Sequence, residues 1–66
     1  MAKATELPEA IRDWLRARVG RDGMPTVGRE LRMADATIAR AIGGLPVQAG
    51  TIALLNAAYE ADREAA

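Results

Sequence analysis

Glycine and proline cut this chain at two places, and in the four segments it contains, apolar residues recur at steps of three and four, the spacing that puts them on one stripe of a helix. The cuts fall at Gly20-Arg21-Asp22-Gly23 and at Gly43-Gly44 followed by Pro46. No cysteine and no histidine occur, so no disulfide and no thiolate or imidazole metal site can hold the fold together. A chain of 66 residues without such staples must rely on packed helices or a partner chain. The expected architecture is all-α: one domain over residues 1–66, a compact bundle of about four short helices.

The first helix is expected over about 7–19, with Leu7, Ile11, Trp14, Leu15 and Val19 on its stripe, Pro8 in its first turn and Thr5 or Glu6 just outside. Turn chemistry at Gly20–Gly23 ends it. A short second helix over about 25–32 carries Val27 and Leu31, with Thr26 as a plausible cap. The third, over about 35–43, repeats the pattern with Ile38 and Ile42, and Gly43-Gly44 supplies the left-handed residue that closes it. The fourth runs over about 49–64 with Ile52, Leu55 and Tyr59 inward; Gln48 and Thr51 compete for its cap.

Charge narrows the function classes. Formal net charge is zero, which argues against a generic polyanion binder. The distribution is uneven: from Arg12 to Arg40 seven arginines face four acids, whereas beyond Arg40 only Arg63 faces Glu60, Asp62 and Glu64. The arginine-rich part is either a phosphate-facing surface or a set of solvated helix faces. Catalysis lacks its usual players, since histidine, cysteine and a phosphate-cradling glycine pattern are all missing. The expectation is a protein that is not an enzyme and uses no cofactor or metal. Trp14 stands near no second aromatic in sequence and reads as a core or interface anchor. Residues Met1 to Glu6 form no apolar run of signal-peptide length, and nothing approaches the roughly 20 apolar residues of a membrane span. A cytoplasmic protein with no membrane partner is expected.

The run Thr26-Val-Gly-Arg-Glu-Leu-Arg-Met-Ala-Asp-Ala-Thr-Ile-Ala-Arg-Ala-Ile-Gly-Gly44 resembles the helix-turn-helix of the lambda-repressor and Cro-like family. Gly28 stands where the family keeps a small residue, Val27 and Leu31 at inward positions, Met33 after the turn, and Ile38 with Ile42 on the inward face of the recognition helix. Flanking helices before and after the motif extend the resemblance over nearly the whole chain. At the turn the family usually has glycine where this chain has Arg32, and at the start of the recognition helix it often has a serine-like cap where this chain has Ala34, so that Asp35 is expected to take over as cap.

The resemblance implies binding of double-stranded DNA, with the recognition helix in the major groove, by a small bacterial or phage-type transcriptional regulator, a repressor or activator, acting as a homodimer at the nucleoid. The DNA-facing set it implies is Thr26, Arg29, Arg32, Ala34, Asp35, Ala36, Thr37, Ala39, Arg40 and Gly43. Arg40 is the one reader suited to a guanine edge; Asp35 suits a cytosine amino group where cations offset its charge. Ala36 and Ala39 are either thymine-methyl contacts or plain helix formers, and Thr37 bonds a phosphate or its own backbone. Arg29, Arg32 and Arg21 suit phosphates or solvent. Leu54, Ala57, Ala58 and Ala61 form a second small-residue surface on the fourth helix, which a two-fold partner would cover. A different class stays open: a helical module that keeps the shape but binds a protein partner, in line with the neutral charge and alanine-rich face.

Overall fold

The computed structural model describes residues 6–65. It is all-helical, with α1 at Glu9–Asp22, α2 at Met24–Leu31, α3 at Asp35–Ile42 and α4 at Ala49–Ala65. Leu7, Ile11 and Leu15 before and on α1, Val27 on α2, Ile38 and Ala41 on α3, Val47 in the following loop and Leu55 on α4 close a single core. Trp14, Val19, Met24, Leu31, Met33, Ile42, Ile52 and Tyr59 pack round its edge. The apolar stripes therefore face inward as their spacing requires, and Ala41, Val47 and Met24 join them. No helix is long and apolar enough to cross a membrane among the described residues.

The helix boundaries correct several expectations. Pro8 caps α1 from outside with extended backbone (φ −53°, ψ 143°), because a residue without an N–H still offers its carbonyl, which accepts from the Arg12 N–H at 2.9 Å. Thr5 lies outside the described residues. At its other end α1 runs through Gly20 and Arg21 and stops only at Gly23, whose φ is 89°. A mid-helix glycine costs about 1 kcal/mol. The extra turn is held by the Gly23 N–H on the Val19 carbonyl at 2.9 Å and by the Arg18–Asp22 ion pair, one helical turn apart at 3.1 Å.

Thr26 does not cap α2. Gly23 takes that position, Pro25 occupies the first turn, and Thr26 lies inside the helix. Asp35 likewise does not cap α3: Ala34 does, through its carbonyl alone, which accepts from Thr37 at 3.0 Å and Ile38 at 3.2 Å. Asp35 is the first helical residue, where its charge still favours the helix dipole. Thr51 sits within α4, leaving Gln48 just before it with its carbonyl accepting from the Ile52 N–H at 3.1 Å.

The turn between α2 and α3 is made by Arg32 in the left-handed conformation (φ 56°, ψ 46°). Its N–H reaches the Arg29 carbonyl at 3.4 Å while the Met33 N–H reaches that of Gly28 at 2.9 Å. This pair of bonds satisfies two otherwise orphan carbonyls at the helix end. Close approach explains Gly28: a Cβ there would lie 2.9 Å from the Met33 carbonyl oxygen and 3.6 Å from the Ile38 Cδ1.

Candidate nucleic-acid interface

Of the residues expected to face DNA, Ala34, Asp35, Ala36, Ala39, Arg40 and Gly43 are exposed along α3 and its ends, with Thr37 half-buried beside them. Arg29 and Arg32 are exposed at the end of α2 and in the turn. Thr26 is half-buried near the start of α2. The short connection places Arg29 and Arg32 directly before the N-terminal end of α3, and the apolar face of α3 is anchored in the core through Ile38 and Ala41.

Two long side chains on this side are less free than the sequence implied. The Asp35 carboxylate folds back toward α2, its Oδ1 lying 3.1 Å from where a Gly28 Cβ would stand. Arg40 donates from Nη2 to the Pro46 carbonyl at 3.2 Å, across the loop that leads into α4. Together with Thr37, Pro46, Val47, Gln48 and Thr51 it lines an open pocket of about 210 Å³. Pro46, Gln48 and Thr51 carried no sequence signal for this neighbourhood, because only the reversal of the chain after α3 puts them beside Arg40. A guanidinium, two hydroxyls and a carboxamide in one pocket can donate hydrogen bonds to an anion.

The seven arginines between Arg12 and Arg40 do not make one cationic surface. Arg16 donates to the Ile42 carbonyl at 3.3 Å, and Arg12 lies against Gly44, so two cations from α1 sit at the C-terminal end of α3, where the dipole favours them. Arg18 bridges Asp22 at 3.1 Å and Glu30 at 2.9 Å. Arg21 belongs to α1, not to a loop, and both its Nε and Nη2 donate to Asp22. Hydrogen bonds from Arg21, then Arg18, hold the Asp22 carboxyl below its ordinary range against partial desolvation. Three of the seven side chains have no hydrogen-bonding or ion-pair partner among the described residues: Arg12, half-buried against Gly44, and Arg29 and Arg32, which are exposed at the end of α2 and in the turn before α3.

The seam between α1 and α4 is closed by its own contacts. Trp14 meets the Tyr59 ring edge-on at 5.6 Å and donates from Nε1 to Asp62 at 2.7 Å. Arg18 stands over Trp14 at 5.9 Å and Arg63 over Tyr59 at 5.5 Å. Trp14 therefore anchors α4 to α1, and Asp62 on the acidic end of α4 is the partner that sequence spacing did not reveal. On the outer face of α4, Leu54 is 59% exposed, Ala57 and Ala61 are exposed, and Ala58 is half-buried. Comparison with protein-family models, with curated proteins and with solved structures finds no match for this chain.

Proposed function

We propose that this chain is a sequence-specific binder of double-stranded DNA, a small transcriptional regulator that lays α3 in the major groove. The observation that supports the reading is the juxtaposition of the exposed face of α3 with two exposed arginines that have no partner among the described residues, Arg29 and Arg32, across a tight left-handed turn. A helix of eight residues is about 12 Å long and with its side chains 10–12 Å across, which suits a groove about 12 Å wide. In this reading Arg29 and Arg32 hold phosphates, Arg40 reads a guanine, and the protein works at the nucleoid in the cytoplasm.

A single α3 offers few base contacts, so a homodimer spanning two half-sites about one DNA turn apart belongs to the same proposal. Its interface is the outer face of α4, where Leu54 leaves more than half its surface wet beside Ala57, Ala58 and Ala61. The second reading is a helical module that binds protein. It is favoured by zero net charge and by the other exposed large apolar side chain, Leu45 at 50%.

Titration of the purified protein against random-sequence duplex at two salt concentrations separates the readings. DNA binding predicts affinity that falls steeply with salt, because each neutralised phosphate adds about 0.9 to the slope. Duplex affinity too weak to measure at low salt would leave the protein-binding reading standing. Light scattering should give a dimer mass that Leu54→Glu reduces to a monomer; a wild type that is monomeric both free and on DNA would remove the homodimer.

A further inference from the structure

The loop from Gly43 to Gln48 links three arginines whose roles look unrelated in sequence. The Gly44 N–H bonds the Ala41 carbonyl at 3.3 Å and the Leu45 N–H bonds that of Arg40 at 3.0 Å, with Gly44 left-handed at φ 78°. This reversal carries Pro46 back until its carbonyl accepts from Arg40 Nη2 at 3.2 Å. Behind the loop stands α1. A Cβ on Gly44 would lie 2.9 Å from Arg12 Nη1, so the guanidinium rests directly on the loop backbone, and Arg16 grips the neighbouring Ile42 carbonyl at 3.3 Å. Arg12 holds this place with its Nε buried and unpartnered. A buried donor without an acceptor is unfavourable for folding.

We infer that the Gly43–Gln48 loop, backed by Arg12, is the device that orients Arg40 for base recognition. The inference rests on the reading of α3 as the groove helix. An arginine has five N–H donors in a rigid planar fork. The Pro46 carbonyl takes one of them and stops the side chain from roaming, which leaves the other donors of the fork fixed for the two acceptors of a guanine edge. Arg12 and Gly44 are then positioning residues: they reach the base only through Pro46 and Arg40.

The experiment starts from duplexes selected out of a randomised pool by the full chain, with each base pair of the selected site then varied in turn. Wild type should prefer guanine at one position by about tenfold, and Arg40→Ala should abolish that preference. Arg12→Met keeps the apolar stem and removes the unpartnered Nε. It should keep its helical circular dichroism, melt no earlier than wild type and bind random duplex as well, yet lose most of the preference at the Arg40 position alone. Gly44→Ala melts earlier because of its left-handed φ, and where it folds it should lose the same preference; Arg12→Met carries the test if it does not. A folded Arg12→Met with the full wild-type preference would overturn the inference, as would a site at which Arg40→Ala changes no base preference. Failure to bind any duplex would instead remove the DNA-binding reading itself.

Discussion

The ends of α2 and α3 are closed by the same pair of backbone hydrogen bonds, yet one uses Arg32 as its left-handed residue and the other uses Gly44. Space explains half of the difference. At Gly44 the direction in which a side chain would leave the backbone is occupied by Arg12 Nη1, 2.9 Å from a Cβ position, so glycine answers both the dihedral and the room. Arg32 is exposed and meets no such obstacle. The remaining half is energetic, since a left-handed L-residue costs about 1–2 kcal/mol relative to an unstrained one. Glycine would relieve this strain, and Arg32 is one of two arginines on α2 and its turn, both without a partner among the described residues.

The largest expected effect tests whether the α2 turn is as closely packed as the α3 turn in spite of its exposed residue. Gly28 supplies the carbonyl that binds the Met33 N–H, and a Cβ there would meet the Met33 carbonyl oxygen at 2.9 Å. That obstacle is backbone and cannot swing aside. Gly28→Val should therefore lose about 1–3 kcal/mol in denaturant unfolding, as overpacked sites do. A loss smaller than that of an exposed helical substitution would mean that α2 and α3 are not in close contact.

Next in size is Gly44→Ala, with an expected loss of about 1–2 kcal/mol from the left-handed φ of 78°. The collision with Arg12 adds little because a guanidinium at the end of a flexible chain can move. Combining Gly44→Ala with Arg12→Met sharpens the point: if the strain is dihedral, the second change returns almost none of the loss. Recovery of most of it would shift the explanation for glycine from backbone conformation to space.

These two turns also mark where the sequence was legible. Gly43-Gly44 with Pro46 announces a helix end, and the three-and-four spacing of Ile38, Ile42, Leu55 and the α1 residues announces which faces turn inward. Both signals are local, carried by residues within a turn or two of each other. The α1 terminus was misplaced because Gly20 is as good a breaker on paper as Gly23, and the ion pair that sustains the extra turn depends on Arg18 being held in place by Glu30 from α2. The fate of the arginines was illegible for the same reason. Whether a cation faces a phosphate or pairs with an acid depends on which helix lies beside it, and nothing near Arg12, Arg16 or Arg40 in sequence points to Gly44, Ile42 or Pro46 as neighbours. The exposure of Ala36, Ala39, Arg40 and Gly43 follows from helical spacing, whereas the bond from Arg40 to Pro46 does not.

The smallest stability effect carries the most information about why the two turns differ, and it requires two measurements on one variant. Arg32→Gly relieves the left-handed strain at φ 56° but gives the unfolded chain more freedom to lose, so stability should rise by at most about 1 kcal/mol. If the guanidinium is on a phosphate, the same variant should bind duplex more weakly, with a salt slope reduced by about 0.9 and an unchanged order of base preferences. Arg29→Gln provides the matched control: it removes a likewise exposed charge from ordinary helical backbone, so it should lower the slope by the same amount while stability stays within about 0.5 kcal/mol. Stability gained together with affinity lost would mean that the arginine is kept at the turn for binding and against folding. If Arg32→Gly gained stability with its salt slope unchanged, the strain would have no such compensation, and the side chain would be absent from the DNA face.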